Sequence, residues 1–331
     1  MRTFSPIHFW HLHFGYINPN QHIMRKNNLF GAFAAIAVAI AFSLCCHSCS
    51  APKEPEKKIG IQLYSVMDAM NADPVKSVAR LNDLGYNVFE LVQWGGDPKV
   101  FGMEASDFKA MCDTLGIDII STHSSIQEDP EKEEEVMNRW RSLFEIQKAV
   151  GGKYFVIPSY KVEYTTEDVQ RMCDYLNRVG KLAREYGLQL GYHNHAREYQ
   201  KLTDGDKLMW EYLVENTNPE DVCFELDVYW CTKGEQSPIE YLKKYPDRIK
   251  ILHIKDDFVI GESGAIDFKG IFDQFYANGM SDYVVEIETP KALREKTNAD
   301  GTPYTKEQIS DEVFEAARKS AEYLRNAEFV K

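Results

Sequence analysis

From Ile59 to its end the chain alternates two hydrophobic patterns. Short apolar runs read as strands over Ile59–Ser65, Asn87–Val92, Asp118–Ser124, Tyr154–Tyr160, Gln189–His195, Val222–Trp230, Ile249–Asp256 and Tyr283–Thr289. The segments between them carry helical periodicity. Phe108, Met111, Cys112 and Leu115 form one stripe, stopped at Gly116. Met172, Leu176, Val179 and Ala183 form another, over Asp168–Tyr186 with a stop at Gly187. Asp73-Pro74 opens a helix that stops at Gly85, and the charged stretch Glu131–Val150 ends at Gly151-Gly152. Further helices are predicted near Lys207–Glu215, Pro238–Lys244, Phe268–Ala277 and Ser310–Leu324.

Strand and helix thus follow one another eight times with no linker between units, which predicts a parallel sheet. Eight such units fit one closed (β/α)8 TIM barrel, typically ~250 residues long, over residues 59–331. An open doubly wound sheet fits less well. Its glycine-rich first turn is replaced here by Gln62-Leu63-Tyr64-Ser65. Val162–Thr166 and Lys291–Thr305 read as loops on the barrel rim.

The first 49 residues do not join this pattern. Met24-Arg25-Lys26 is a better initiator context than Met1, and it precedes an apolar run, Leu29–Leu44. The run ends in Cys45-Cys46-His47-Ser48-Cys49, as an export signal of the lipoprotein type would, with Cys49 acylated. It is short for a membrane span, which needs ~20 apolar residues; an uncleaved anchor helix is the alternative. Residues 50–58 then form a charged, proline-containing tether. The expected location is outside the cytoplasm, periplasmic or lipid-anchored to a bacterial membrane.

Charge narrows the partners. The whole chain stands at −13, and the leader holds only the bases Arg2, Arg25 and Lys26, so the body without it is more acidic still. Such a body is a poor partner for nucleic-acid backbones and suits small-molecule substrates. Cys112, Cys173, Cys223 and Cys231 remain in the body, with no Cys-x-x-Cys pair and no spacing that demands a disulfide.

The polar residues then point to a site. The body has only four histidines, His123, His193, His195 and His253, and each falls near the C-terminal end of a predicted strand. That end is where barrel enzymes assemble their sites. Strand alternation puts His193 with His195, Glu225 with Asp227, His253 with Lys255 and Glu286 with Glu288 on common faces. Glu90 on the second strand has the same setting. Buried acids need a partner or a metal, so an internal salt-bridge network, such as Lys255 with Glu286 or Glu288, competes with a metal site. Mixed carboxylate and imidazole ligands without a cysteine cluster suit one divalent Mn, Zn, Co or Fe. Such a metal can hold two sugar oxygens, polarise a carbonyl and acidify the adjacent C–H.

His193-Asn194-His195, Glu225-Leu226-Asp227, His253-Ile254-Lys255-Asp256 and Glu286, in this order, resemble the xylose-isomerase-like sugar isomerase/epimerase superfamily, as does Gly60-Ile61-Gln62-Leu63-Tyr64-Ser65. The resemblance spans Ile59 to Arg325. It implies a TIM barrel with one divalent metal on Asp227, His253 and Glu286. The usual glutamate of strand five is replaced by His193, which ligates instead, unless Glu198 reaches in. Glu90, His123, Glu198, Glu225, Tyr64 and Trp94 are expected to contact a sugar or keto-glycoside. Glu286 or Glu288 is the candidate base, and His193, His195 or Lys255 the candidate acid. The implied reaction is proton abstraction next to a carbonyl, through an enediolate, in an isomerase or epimerase. The alternative is a dehydratase or lyase expelling a β-oxygen from a keto-sugar or 3-keto-glycoside, to which the missing strand-five glutamate points. A non-catalytic sugar-binding lipoprotein is a second alternative.

Overall fold

A computed structural model describes residues 57–93 and 98–331. The leader and most of the tether lie outside the described residues. Eight parallel strands close into a barrel in chain order. They are β1 (Gly60–Gln62), β2 (Val88–Val92), β3 (Asp118–His123), β4 (Tyr154–Ile157), β5 (Gln189–His193), β6 (Val222–Asp227), β7 (Ile249–Ile254) and β8 (Asp282–Val285).

Eight longer helices return the chain between strands: Pro74–Asp83, Ala105–Thr114, Glu133–Ala149, Thr166–Glu185, Met209–Asn216, Pro238–Lys244, Phe268–Ala277 and Lys306–Asn326. Their starts follow local chemistry. Asp73, Thr165, Ser237 and Asp267 each accept a first-turn amide, and Thr305 exchanges bonds with Gln308 in a capping box.

The main core lies between strands and helices. Trp140 packs edge-on to Phe155 at 5.5 Å, and Trp210 to Phe224 at 4.8 Å. Trp140 donates its indole N–H to the Tyr175 hydroxyl at 2.7 Å, so its buried polar atom is satisfied. Inside the barrel Val88, Ile120 and Val284 form a separate apolar plug. Two residues further along β2 stands Glu90, and two beyond Val284 stands Glu286. Alternation on β2 thus sets Glu90 over this apolar floor, and Glu286 follows just past the end of β8. Gly60 permits the closure: a Cβ there would lie 2.2 Å from the Tyr283 carbonyl oxygen on β8. On the N-terminal side of the sheet, Asp282 at the start of β8 accepts from Lys153 Nζ and the Tyr154 hydroxyl, both at 3.1 Å. This ties β8 to the strand opposite it.

Seven strands, all but β2, end sooner than the apolar runs predict, β3 at His123 and β7 at Ile254 by only one or two residues. β1 stops at Gln62 and turns into a 3-10 helix over Leu63–Val66, where Gln62 Oε1 accepts the Tyr64 amide. β4 stops at Ile157, β5 at His193 and β8 at Val285. β6 stops at Asp227, whose Oδ1 caps a short helix over Val228–Lys233. Tyr229 and Trp230 are therefore helical. In β1 and β6 the polar side chain at the strand's end ties down the following turn, which alternation cannot register.

Candidate metal centre and active site

The carboxyl ends of β5 to β8 bring four potential ligands together. Asp227 is fixed on three sides. Its Oδ1 accepts the Trp230 amide at 2.7 Å, and Asn194 exchanges two bonds with its backbone, at 2.9 and 3.1 Å. Its Oδ2 is buried and has no hydrogen-bond partner among the described residues. His253 Nδ1, also buried and without one, lies 3.6 Å from that oxygen and 3.2 Å from Glu286 Oε2. His193 Nε2 lies 3.9 Å from Asp227 Oδ2. Asp227, His253 and Glu286 offer atoms close enough to share one cation. Ligands at ~2.0–2.2 Å from a tetrahedral metal stand roughly 3.3–3.6 Å apart. Two orphaned polar atoms at these separations fit a divalent ion.

Below this group lies a second, buried layer. His123 Nε2 stands 2.7 Å from Glu225 Oε2 and 3.0 Å from Glu90 Oε1. Glu225 Oε2 also meets His193 Nδ1 at 2.9 Å, and Glu90 Oε1 meets His253 Nε2 at 3.1 Å. Gln62 and Ser121 donate to the two oxygens of Glu90, at 3.0 and 2.5 Å.

Carboxylates dominate the electrostatics. Burial presses the His123 imidazolium down, but Glu90 and Glu225 outweigh it and lift the pKa to about 9. Burial, reinforced by Glu90, pushes Glu225 up to about 7. Burial likewise opposes charge on His253, yet Glu225, Asp227, Glu286 and Glu90 together draw its pKa well upward. The pocket calls for positive charge at the point where the orphaned atoms face each other. Burial raises Glu286, but Lys255 and His253 more than reverse this and hold it far below its ordinary value.

Above lies a cavity of about 460 Å³, a size usual for small-molecule sites. Tyr64, His123, His193, His195, Lys255, Glu286 and Glu288 line it. Glu286 and Glu288 stand on one wall, and Lys255 Nζ bonds both, at 3.3 and 2.6 Å. Lys255 also lies 4.9 Å above the Trp230 ring, and burial opposes its charge less than Glu286 and Asp227 favour it. His193 and His195, at the end of β5, also line the cavity. Burial first, then neighbouring cations, keeps His193 neutral and pulls His195 down to about 4.

Three expected contacts stand elsewhere. Glu90 and Glu225 lie beneath the cavity, wholly buried, and are not among the residues lining it. Glu198 is turned away. It accepts from the Tyr192 hydroxyl at 3.0 Å, Arg197 Nε at 3.0 Å and the His195 amide at 2.8 Å. That capping role uses both its oxygens. Trp94 lies outside the described residues. Sequence reading passed over Gln62 and Ser121 as individual site residues, and Arg197 altogether. Gln62 and Ser121 had a signal, as polar residues inside otherwise apolar runs. Arg197 follows the strand and had none.

A family profile described as a xylose isomerase-like TIM barrel matches residues 78–326. Inosose dehydratase 2 of Bacillus cereus is 35% identical over 103 residues, 30% of this chain and 33% of that protein. The inosose dehydratase of Lacticaseibacillus casei is 26% identical over 149 residues, 38% of this chain and 48% of its own. The chain thus matches less than half the length of these curated relatives. A crystal structure of a sugar phosphate isomerase/epimerase from Parabacteroides distasonis ATCC 8503 is 30% identical. It covers 85% of this chain and 100% of its own, with a TM-score of 0.72. With three quarters of its length matched by the profile, the chain belongs to the xylose isomerase-like TIM-barrel family.

Proposed function

We propose that the protein is a divalent-metal-dependent carbohydrate lyase. It removes a proton next to the carbonyl of a keto-sugar-like substrate and expels the β-oxygen. The observation that carries this reading is the one-sided distribution of acids. Both cavity carboxylates, Glu286 and Glu288, follow β8 and are bonded to Lys255, while His193 and His195 at the end of β5 are neutral imidazoles. Two-base epimerisation needs proton carriers on both faces of the sugar, and Glu198 is committed elsewhere.

Asp227, His253, Glu286 and His193 would hold the metal, and Mn, Zn, Co or Fe suits that donor set. When bound, the metal supplies Lewis acidity at the carbonyl and lowers the pKa of the neighbouring C–H. The chain's own groups do the rest. Glu286 or Glu288 takes the carbon-bound proton, a C=C bond forms, and the β C–O bond breaks. Lys255, the ammonium between the two carboxylates, returns a proton to the departing oxygen. No electrons leave or enter the substrate. Trp230, tilted against His195 at 5.7 Å between centroids, offers an apolar face to the sugar ring. The loop after β7 contains Gly261 and Gly264, yet the amides of Gly261 and Ser263 donate to Asp256, at 3.0 and 3.4 Å. This favours a substrate without a phosphate.

The inosose dehydratase relatives support elimination. Aldose–ketose isomerisation by a single base is the second reading, favoured by the sugar phosphate isomerase/epimerase relative. Incubation of the metal-loaded protein in D2O with keto-sugars, inososes, 3-keto-glycosides, aldoses and ketoses separates them by NMR. Elimination yields an unsaturated keto product with release of water or an aglycone. A rearranged sugar carrying deuterium would overturn the lyase reading in favour of isomerisation.

A further inference from the structure

We infer that Glu90 and Glu225, bridged by His123, form a buried platform that fixes the tautomers of both imidazole ligands. The inference rests on the metal site proposed above. The platform's two acids, Glu90 and Glu225, do not line the cavity.

The geometry is reciprocal across two rings. His253 turns Nε2 to Glu90 Oε1 at 3.1 Å and leaves Nδ1 facing Asp227 and Glu286. His193 turns Nδ1 to Glu225 Oε2 at 2.9 Å and leaves Nε2 facing Asp227. An ionised carboxylate can only accept, so with Glu90 and Glu225 ionised each ring carries its proton on the downward nitrogen. The upward nitrogen then has its lone pair free for a cation. A carboxylate behind a metal-bound imidazole also raises its basicity and holds its orientation. The two rings use opposite nitrogens, so neither could serve with the other's tautomer.

The same layer could be taken for a second metal centre, since His123, His193, Glu225 and His253 offer clustered ligand atoms. The ring geometry argues against it. A cation there would need the nitrogens that His193 and His253 turn away from Asp227. Both rings would then have to bridge two metals as imidazolates. Protons satisfy the layer without that demand. His123 Nε2, 2.7 Å from Glu225 and 3.0 Å from Glu90, places one positive hydrogen-bond donor between the two acids. Ser121 and Gln62 hold Glu90 from its far side.

The test uses the full chain loaded with Zn or Co. Long-range 1H–15N NMR of the zinc protein is expected to show His253 protonated at Nε2 and His193 at Nδ1, with one metal per chain. Glu90→Gln and Glu225→Gln are expected to keep the fold by circular dichroism and to weaken zinc binding by about 10–100-fold. They should also alter the visible spectrum of the cobalt form. The opposite tautomers, wild-type zinc affinity in both variants, or two tightly bound zinc ions per chain would each overturn the platform. The NMR result on the unmodified protein decides the matter if a variant misfolds. Failure to bind any divalent metal would instead refute the metal site itself.

Discussion

At the scale of single residues, Lys255 has the most exposed chemical role. It is buried, yet bonded to two carboxylates at the cavity wall. Lys255→Met keeps the aliphatic stem and removes the charge. We expect turnover to fall by about 10²–10⁴-fold, as for loss of a general acid. Metal content, read by elemental analysis, should stay near one per chain. Turnover within twofold of the parent protein would remove Lys255 from the mechanism. Asp227→Ala removes the oxygen that no hydrogen bond occupies and should abolish metal retention. Full metal occupancy in this variant would show that the ion sits elsewhere.

At the scale of elements, barrel closure hangs on Gly60. A methyl group there meets the Tyr283 carbonyl at 2.2 Å and Val284 Cγ1 at 2.9 Å. Backbone cannot yield as a side chain can, so Gly60→Ala should cost about 3 kcal/mol in urea unfolding. A loss below about 1 kcal/mol would mean that β1 and β8 approach each other less closely than this.

Elements were also where the sequence spoke most clearly. Every strand was legible because parallel strands, covered on both faces, read as unbroken apolar runs. Their ends were not. His195, Lys255, Glu286 and Glu288 lie past the last paired residue of their strands. Sharing a strand face predicted their proximity for a reason that does not hold. They meet because the turns after β5, β7 and β8 converge. The histidines still marked the correct end of the barrel, since a buried imidazole needs polar partners and the plug of Val88, Ile120 and Val284 offers none. The division into two layers was illegible. It depends on which ring nitrogen faces which acid, and no spacing rule encodes that.

For the whole molecule, alkali is the informative stress. Burial pushes the thiols of Cys112, Cys173, Cys223 and Cys231 each up to about 12. In the unfolded chain a thiol ionises near ~8.5. Each therefore contributes stability that is complete below about pH 8.5 and is lost as the pH climbs toward about 12. Urea midpoints should decline steadily above pH 9. Mass-mapped alkylation at pH 8 should leave these four thiols unmodified in the native protein and label them in urea. Rapid labelling of any of them without denaturant would contradict their burial.

The barrel also has seams of unequal strength. β1 and β8 share the single registered pair Ile61 with Val285, and β3 and β4 share His123 with Val156. Every other neighbouring pair of strands is registered over three or more residues. Those two seams divide the ring into a three-strand arc, β1–β3, and a five-strand arc, β4–β8, and the Asp282 tie to Lys153 and Tyr154 lies wholly within the larger one. All four proposed ligands belong to the larger arc, while Glu90 and His123 belong to the smaller. Opening of the smaller arc would strip Glu90 and His123 from the platform but leave Glu225 and the ligands assembled. Native-state hydrogen exchange should thus release the amides of β1–β3 at lower free energy than those of β5–β8. Metal release should follow the second event, so the barrel would part along its seams while still gripping its ion.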